Sequence, residues 1–318
     1  MPSNYLHDHK DFSALLDILS EETGIQAALI EKDYWLMHVL YGLKLQGFDF
    51  NLKGGTSLSK GYKIIDRFSE DIDIYIKPPK ERGVNVNPKS QKDNAIKSRK
   101  DYFDWLAKEI KIDGIISVER DHTFDDADAY RSGGIRLFYK NTKAAIDGVK
   151  EGILLEAGFD TVTPENKLTI SSWAFDKAKS SSAIKIIDNR AIDVACYHPG
   201  YTFVEKLQTI ATKFRNEKEG KAIGVNFMRQ YYDVYCLLGN DQVQAFIGTK
   251  EYEAHKQIRF PKADLTVPIA ANEAFFVNDA AIKSSFIKRY KATQALYYKG
   301  QPDFETLLSR LKENIDRL

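Results

Sequence analysis

Leu52 to Ile76 reads LKGGTSLSKGYKIIDRFSEDIDIYI, and the order of the elements in this stretch decides the fold. Phe48 to Leu52 predicts a short strand, which runs into a Gly-Gly-Thr-Ser turn and then into a helix that continues to about Ile65. Residues 72–76 alternate like a second strand. The stretch therefore predicts a strand, a glycine turn, a helix and another strand, in that order.

Two aspartates lie two residues apart on the second of these strands. Asp71 and Asp73 are expected to point to the same face, with Cα atoms ~6.6 Å apart. Carboxylates at that spacing can share Mg²⁺ ions, which prefer oxygen ligands and tolerate bound phosphate. An Asp-x-Asp alone is more often a solvated strand edge. Here Ile72, Ile74 and Ile76 predict a buried opposite face, which would hold the aspartates in one orientation.

The turn before this strand has the composition of a phosphate site. Gly54 and Gly55 would let a phosphate approach the backbone, and Thr56 and Ser57 add hydroxyl donors at the start of a helix. The simpler interpretation is an ordinary strand-to-helix turn with a Thr or Ser N-cap. Either motif alone leaves both interpretations open. The ordered pair is more specific, because it puts a phosphate cradle beside a metal site.

Composition restricts the class of protein. The chain has 318 residues, 43% of them hydrophobic and 29% charged, which is normal for a soluble globular protein with one large domain or two ordinary ones. A net charge of +1 argues against a protein that coats nucleic acid by bulk charge. Two cysteines give no disulfide framework, and the polar first residues contain no signal-peptide core. We therefore expect a cytoplasmic protein without a membrane span.

The remaining patterns predict a boundary near residue 200. A helix at 95–110 is followed by strand candidates at 115–119, 134–139, 151–157, 184–187 and 192–197. Beyond Pro199 the predicted elements are helical, at 200–215, 224–238, 272–298 and 303–317. We therefore predict an α/β catalytic part with N-terminal helices at residues 1–199 and a helical part at residues 200–318.

The stretch from Leu52 to Ile76 resembles the glycine-serine and Asp-x-Asp signature of the nucleotidyltransferase superfamily. More narrowly, it resembles the AbiEii toxin family of bacterial abortive-infection and toxin–antitoxin systems. Three further segments carry the same resemblance: Glu31 to Trp35 (EKDYW), His198 to Leu207 (HPGYTFVEKL) and Arg229 to Tyr235 (RQYYDVY). The resemblance implies an α/β nucleotidyltransferase-like core with a mixed β-sheet, followed by a C-terminal helical domain.

The superfamily pattern also implies a third carboxylate on a later core strand. Glu156 is our choice, because a charge among apolar strand residues is costly unless it is paired or metal-bound. Glu151 competes, but it lies at the start of the strand, where exposure is the simpler interpretation. In the helical part, the resemblance makes Lys206 a nucleotide-binding or catalytic lysine and Asp233 a carboxylate that positions Lys206 or assists proton transfer. The simpler interpretations are an exposed lysine and a surface Arg229–Asp233 helix pair.

These residues together predict a metal-dependent nucleotidyltransferase. Asp71, Asp73 and Glu156 would hold two Mg²⁺ ions, with Mn²⁺ as the alternative, one to activate the attacking oxygen and one to neutralise the pyrophosphate. Gly54, Gly55, Thr56, Ser57 and Lys206 would bind the donor NTP. The resemblance implies a toxin that modifies an RNA such as a tRNA, in phage defence, with a cognate antitoxin encoded nearby.

Residues 80–100 could contact the RNA, because they hold seven Lys or Arg against two Asp or Glu. A solvated basic loop is the other interpretation of this segment. Two other functions also remain open. One is nucleotide transfer to a small molecule or to a protein hydroxyl, and the other is a non-catalytic module that binds a nucleotide or a partner.

Overall fold

The computed structural model describes residues 4–144, 149–160, 163–180 and 185–318. The chain divides into two compact units. The first comprises residues 1–61 and 69–197, and the second comprises residues 62–68 and 198–318. The short segment 62–68, which follows the glycine turn in sequence, therefore belongs to the helical unit.

Within the described ranges, the first unit contains one mixed sheet of seven strands in the order β3-β4-β5-β2-β1-β7-β6. Pairs β2–β5 and β1–β7 are parallel, and the other neighbouring pairs are antiparallel. The strands are β1 Asp49–Lys53, β2 Asp71–Lys77, β3 Ile115–Asp121, β4 Ser132–Tyr139, β5 Ile153–Gly158, β6 Glu165–Ile170 and β7 Ala191–Tyr197. This sheet, with the helical second unit, confirms the predicted fold class.

The sheet places β1, β2 and β5 side by side at its centre. Along β2, the side chains of Ile72, Ile74 and Ile76 are buried while the alternate residues are half-buried, as the period of a strand requires. The first unit also contains the helices Phe12–Thr23, Ala27–Leu45, Asp93–Glu109 and Trp173–Ser180. The central strands therefore combine a buried apolar face with a face that is accessible to a ligand.

The second unit is helical in its described residues. Helix Pro199–Lys218 has a proline in its first turn, where the missing N–H costs nothing, and the His198 ring accepts a hydrogen bond from the Gly200 amide. Its buried apolar residues form the stripe expected of an amphipathic helix. The other helices are Arg229–Leu237, Asp241–Phe246, Lys250–Arg259, Lys262–Leu265, Ala280–Lys291 and Phe304–Asn314.

Several elements differ from the prediction in extent or were missed. Residues 185–187 of the predicted strand at 184–187 are not in a strand, and residue 184 lies outside the described residues. Four helices were not predicted: Trp173–Ser180, Asp241–Phe246, Lys250–Arg259 and Lys262–Leu265. The helix after the glycine turn ends at Gly61, as a short α-helical turn followed by a π-helix, and not near Ile65. The helix predicted at 272–298 is broken, because Val277 has a φ of 46° and the helix begins only after the capping side chain of Asp279. Strand β6 was not predicted, because most of its residues are exposed and polar.

Among residues 4–144, 149–160, 163–180 and 185–318, no helix is both long enough and apolar enough to cross a bilayer.

Candidate active site

The structure places the three predicted carboxylates on adjacent strands of the first unit. Asp71 and Asp73 lie on the same face of β2, opposite the buried isoleucines. Glu156 lies on β5 as the direct register partner of Asp73 in the parallel β2–β5 pair. The competing Glu151 lies before β5 and is exposed. Glu156 is therefore the acid that the sheet brings beside the aspartates.

The environment of Glu156 makes its charged form unfavourable. Burial and the nearby charges of Asp73 and Asp71 together raise the pKa of Glu156 to about 8, while Lys150 and Lys53 act in the opposite direction. Like charges held close together in a partly buried site favour the neutral form of one of them. The three carboxylates therefore form one electrostatically coupled group that a cation would stabilise.

Gly54 provides the space for the Asp73 carboxylate. Its φ of 68° lies in the left-handed region that favours glycine. A Cβ atom at this position would lie 2.2 Å from Oδ2 of Asp73, which is well inside contact distance. The glycine turn is thus required at this point by both backbone conformation and carboxylate packing.

Gly54→Ala is therefore expected to displace the Asp73 carboxylate and to reduce nucleotide transfer by ~10-fold or more, since misplacement of a catalytic group by about 1 Å can cost ~10²-fold. The matched control is Gly47→Ala, which has a similar φ of 79° but no atom within 4 Å of its added Cβ. Both variants should lose stability from backbone strain, measured by thermal melting. Equal activities in the two variants would contradict a role for Gly54 in placing Asp73.

The hydroxyl groups of the turn are directed into the protein. Thr56 and Ser57 are buried. The Thr56 hydroxyl donates to the carbonyl oxygen of Asp71 at 2.5 Å, and the Ser57 hydroxyl donates to that of Gly54 at 3.0 Å. The Thr56 contact ties the turn to the start of β2 and so helps to fix Asp71, while the Ser57 contact lies within the turn. Their predicted contact with an NTP, together with that of Gly55, stays a prediction.

Lys150 contacts Asp71, which sequence patterns did not reveal. Its Nζ lies 3.0 Å and 2.9 Å from the two carboxylate oxygens of Asp71. The Lys150 amide donates to Glu70 at 3.2 Å, and the buried Lys32 ammonium donates to the Lys150 carbonyl oxygen. Burial lowers the pKa of Lys32 to about 8, against the opposing charges of Glu70 and Asp71. A lone lysine before a strand gives no sequence signal for this arrangement.

The Glu-Lys-Asp run of helix Ala27–Leu45 is a structural anchor for this region. All three side chains are buried, in a helix that is otherwise largely apolar. Asp33 pairs with Lys60, in the π-helix that follows the glycine turn, at 2.7 Å, and it accepts a hydrogen bond from the Trp173 amide at 2.9 Å. Glu31 accepts hydrogen bonds from the backbone amides of Thr142 and Lys143. The helix thereby contacts the residue Lys60 after the turn and holds Thr142, Lys143 and Lys150 in place.

The donor chemistry of the carboxylates fits a divalent cation. In the portion of the chain that the structure describes, no three acidic, histidine or cysteine side chains form a ready-made metal cluster. Asp71 is instead paired with the Lys150 ammonium. Carboxylate oxygens are the ligands that Mg²⁺ prefers, and a bound cation would relieve the repulsion that raises the pKa of Glu156. Asp71, Asp73 and Glu156 therefore suit a metal that displaces Lys150.

The other two predicted catalytic residues, Lys206 and Asp233, lie in a charged cluster of the second unit. Asp233 is fully buried, so the interpretation as a surface helix pair is wrong. The Nε and Nη2 atoms of Arg67 each donate to one Asp233 oxygen at 2.7 Å, and Lys206 Nζ lies 3.0 Å from Oδ2. Asp233 thus forms an ion pair with Lys206. The contribution of Lys206 and Asp233 to nucleotide transfer stays a prediction.

One residue of the basic segment 80–100, Arg99, is not exposed as a basic loop or an RNA contact would require. Arg99 is buried, and its guanidinium donates to the carbonyl oxygens of Ala129, Asn85, Asn87 and Ser90. It therefore stabilises the loop and is not accessible to an RNA phosphate. The lysines of the segment at positions 89, 92, 97 and 100 are exposed.

Comparison with known proteins identifies the family of the chain. A family model described as "Nucleotidyl transferase AbiEii toxin, Type IV TA system" matches residues 38–310. No curated protein matches the chain. One solved structure that matches is an antigenic nucleotidyltransferase-like protein from Paracoccidioides brasiliensis, with 10% identity, a TM-score of 0.38, and coverage of 73% of this chain and 95% of that chain. A likeness this distant carries no functional information. The family model, in contrast, spans most of the sequence, and the chain therefore belongs to the AbiEii family of nucleotidyltransferase toxins of type IV toxin–antitoxin systems.

Proposed function

We propose that this AbiEii nucleotidyltransferase is metal-dependent and transfers a nucleotide from an NTP to an RNA acceptor. One observation supports the metal dependence most directly. Asp71, Asp73 and Glu156 lie on neighbouring strands, and their mutual repulsion, added to burial, raises the pKa of Glu156 to about 8. An arrangement that concentrates negative charge in this way is destabilising unless a cation offsets it.

In this proposal, Asp71, Asp73 and Glu156 would hold Mg²⁺, which when bound would offset the negative charge of the triphosphate and make the attacking hydroxyl group easier to deprotonate. Gly54 keeps the Asp73 carboxylate in place, and Thr56 keeps Asp71 in place through its carbonyl oxygen. The Lys206 ammonium offsets negative charge that develops on the transferred phosphate. Asp233 fixes that ammonium by an ion pair of 3.0 Å.

Membership of a type IV toxin–antitoxin family implies a cognate antitoxin. We propose that the antitoxin is encoded beside this toxin, and that the pair acts in abortive infection of phage-infected cells. Co-expression of the adjacent gene should then restore the growth of cells that produce the toxin. Growth arrest that persists with the neighbouring gene expressed would contradict that genetic assignment.

The decisive experiment mixes purified protein and Mg²⁺ with each labelled NTP in turn and with total cellular RNA. Label on a discrete RNA band, dependent on Mg²⁺ and on one preferred NTP, is the expected result. An unlabelled RNA pool alongside a labelled protein or metabolite would favour transfer to a protein hydroxyl or to a small molecule. NTP binding without transfer to any acceptor would favour a non-catalytic binding module.

The acceptor prediction can be tested at the basic segment, because its exposed lysines could neutralise RNA phosphates. Glutamine at all four positions is expected to weaken RNA binding and to flatten the log–log salt dependence of affinity by about one unit per lost phosphate contact. The variant set is Lys89, Lys92, Lys97 and Lys100, with Arg99 left intact for its structural role. NTP binding should stay at the wild-type level.

A matched control replaces four exposed lysines of the second unit by glutamine. These are Lys250, Lys262, Lys288 and Lys291. The net charge changes equally in the two variants, so bulk electrostatics are the same. If both variants lose RNA affinity to the same degree, the 80–100 segment has no specific part in binding RNA.

A further inference from the structure

The Asp233 carboxylate of the second unit binds a cation, Arg67, for which the sequence predicted no role. Arg67 contacts it side-on, with one 2.7 Å hydrogen bond to each oxygen, and Lys206 contacts only Oδ2, at 3.0 Å. Bidentate guanidinium–carboxylate pairs are stronger and more directional than the contact of a single ammonium. Arg67 is therefore the main counter-charge of Asp233.

Exposure to solvent increases from Asp233 through Arg67 to Lys206. The side chains of Asp233 and Arg67 are 0% and 5% exposed, whereas that of Lys206 is 13% exposed. Counting these three residues, two positive charges face one negative charge. Because Arg67 already neutralises Asp233, the excess positive charge resides at Lys206, the member nearest to solvent.

The backbone around Arg67 keeps the guanidinium in place. Arg67 forms an antiparallel bridge with Tyr297, and the Phe68 amide donates to the Leu296 carbonyl oxygen at 2.7 Å. The Nη1 atom of Arg67 donates to the Phe68 carbonyl oxygen at 3.2 Å. Burial acts to raise the pKa of Asp233, but Arg67 and Lys206 together hold it below its usual range, so the carboxylate stays ionised.

We propose that Arg67 is a positioning residue for nucleotide transfer: it takes up the charge of Asp233 and so leaves the Lys206 ammonium oriented and available to the triphosphate of an NTP. Without Arg67, Asp233 and Lys206 would neutralise each other as an ion pair, and the Lys206 ammonium would contact the carboxylate and not the triphosphate. This inference rests on the role of Lys206 in the proposed function.

The test uses full-length Arg67→Met and Arg67→Lys. The methionine variant leaves Asp233 paired with Lys206, so no buried charge is left without a partner and the fold should persist, as checked by thermal melting. The lysine variant keeps the cluster's net charge but not the bidentate geometry. Arg215→Met is the matched control, because Arg215 also contacts a buried carboxylate, Asp264, side-on within the second unit.

Two quantities are measured for each variant: the rate of nucleotide transfer, and the affinity for inorganic triphosphate in EDTA by calorimetry. We expect Arg67→Met to lower both by about tenfold, a smaller effect than loss of the lysine itself. Arg67→Lys should recover most of the triphosphate affinity, and Arg215→Met should match the wild type. Wild-type values for Arg67→Met in both measurements would overturn the inference.

A double-mutant cycle with Asp233→Asn separates positioning from a general structural effect. If Arg67 acts by taking up the charge of Asp233, Arg67→Met should cause no further loss in the Asp233→Asn background, where no buried carboxylate remains to pair with Lys206 or to lack a partner. Additive losses would overturn the inference, because they would mean that Arg67 acts independently of Asp233.

The triphosphate measurement keeps this inference distinct from the proposed function. Absence of transfer by the wild-type protein would refute the proposed function, while triphosphate affinities would still decide the role of Arg67. Conversely, a Lys206→Met variant that loses transfer, together with a fully active Arg67→Met variant, would refute only the inference about Arg67.

Discussion

Asp71→Asn and Asp73→Asn are each expected to reduce nucleotide transfer by on the order of 10³-fold or more, with the fold unchanged. The amide keeps the shape of the side chain but removes the negative charge that would hold Mg²⁺. The two aspartates lie on one face of β2, so each variant removes one of the carboxylates that would face the ion. Transfer is measured with labelled NTP and the RNA acceptor, and folding by thermal melting.

The stability of the Asp71→Asn variant reflects two opposing changes. The variant loses the ion pair with Lys150. The Lys150 and Asp71 side chains are 26% and 20% exposed, so this pair contributes about 1 kcal/mol or less to stability. It also removes one of the charges that raise the pKa of Glu156. Because these effects oppose each other, the melting temperature should stay near that of the wild type.

Asp49→Asn is the matched control, because Asp49 is an exposed aspartate on the neighbouring strand β1. It should transfer nucleotides at the wild-type rate. In bacteria, expression of the wild type and of Asp49→Asn should arrest growth, and expression of Asp71→Asn should not. Full transfer activity in either site variant would refute the metal-binding role of these aspartates.

Lys206→Ala is expected to slow transfer by ~10²–10³-fold, the usual cost of removing one preorganised group that stabilises transition-state charge. Asp233 keeps its bidentate partner Arg67 in this variant, so the buried carboxylate remains neutralised. Circular dichroism and thermal melting should therefore change little. The loss should appear mainly in kcat if the ammonium acts in the transition state, and in KM if it only binds the NTP.

Lys213→Ala provides the control for Lys206→Ala, since Lys213 is exposed on the same helix, Pro199–Lys218. It removes the same charge from the same helix, at a position that forms no ion pair with any of the residues that the structure describes. Equal activities of Lys206→Ala and Lys213→Ala would show that Lys206 is a surface residue without a part in transfer.

The family and the fold class were predictable from local patterns. The alternation around Asp71 and Asp73 predicts a strand with one buried face, and the structure has that strand as β2. The order of the glycine turn and the Asp-x-Asp motif led to the AbiEii resemblance, which the family model confirms. Such features can be recognised in a sequence because side-chain periodicity and turn chemistry act over a few residues.

Errors occurred where long-range contacts override a local pattern. Arg99 lies in the basic segment 80–100, which was expected either to contact RNA or to be a solvated loop, yet its guanidinium fills a buried position among four backbone carbonyl oxygens. The predicted helix at 272–298 is interrupted at Val277, whose φ of 46° does not belong to a helix. In both places, local composition does not encode the packing that decides the structure.

The sequence by itself determined the two-faced strand with Asp71 and Asp73, the glycine turn beside it and the helical character of the second unit. Only the tertiary structure put Glu156 in register with Asp73, Lys150 on Asp71 and Arg67 on Asp233. Arg67 and Asp233 are separated by 166 residues in sequence. Periodicity states which face of an element is buried, but not which distant side chain meets it there. That choice depends on strand order, on register and on the neutralisation of each buried charge by a partner within reach.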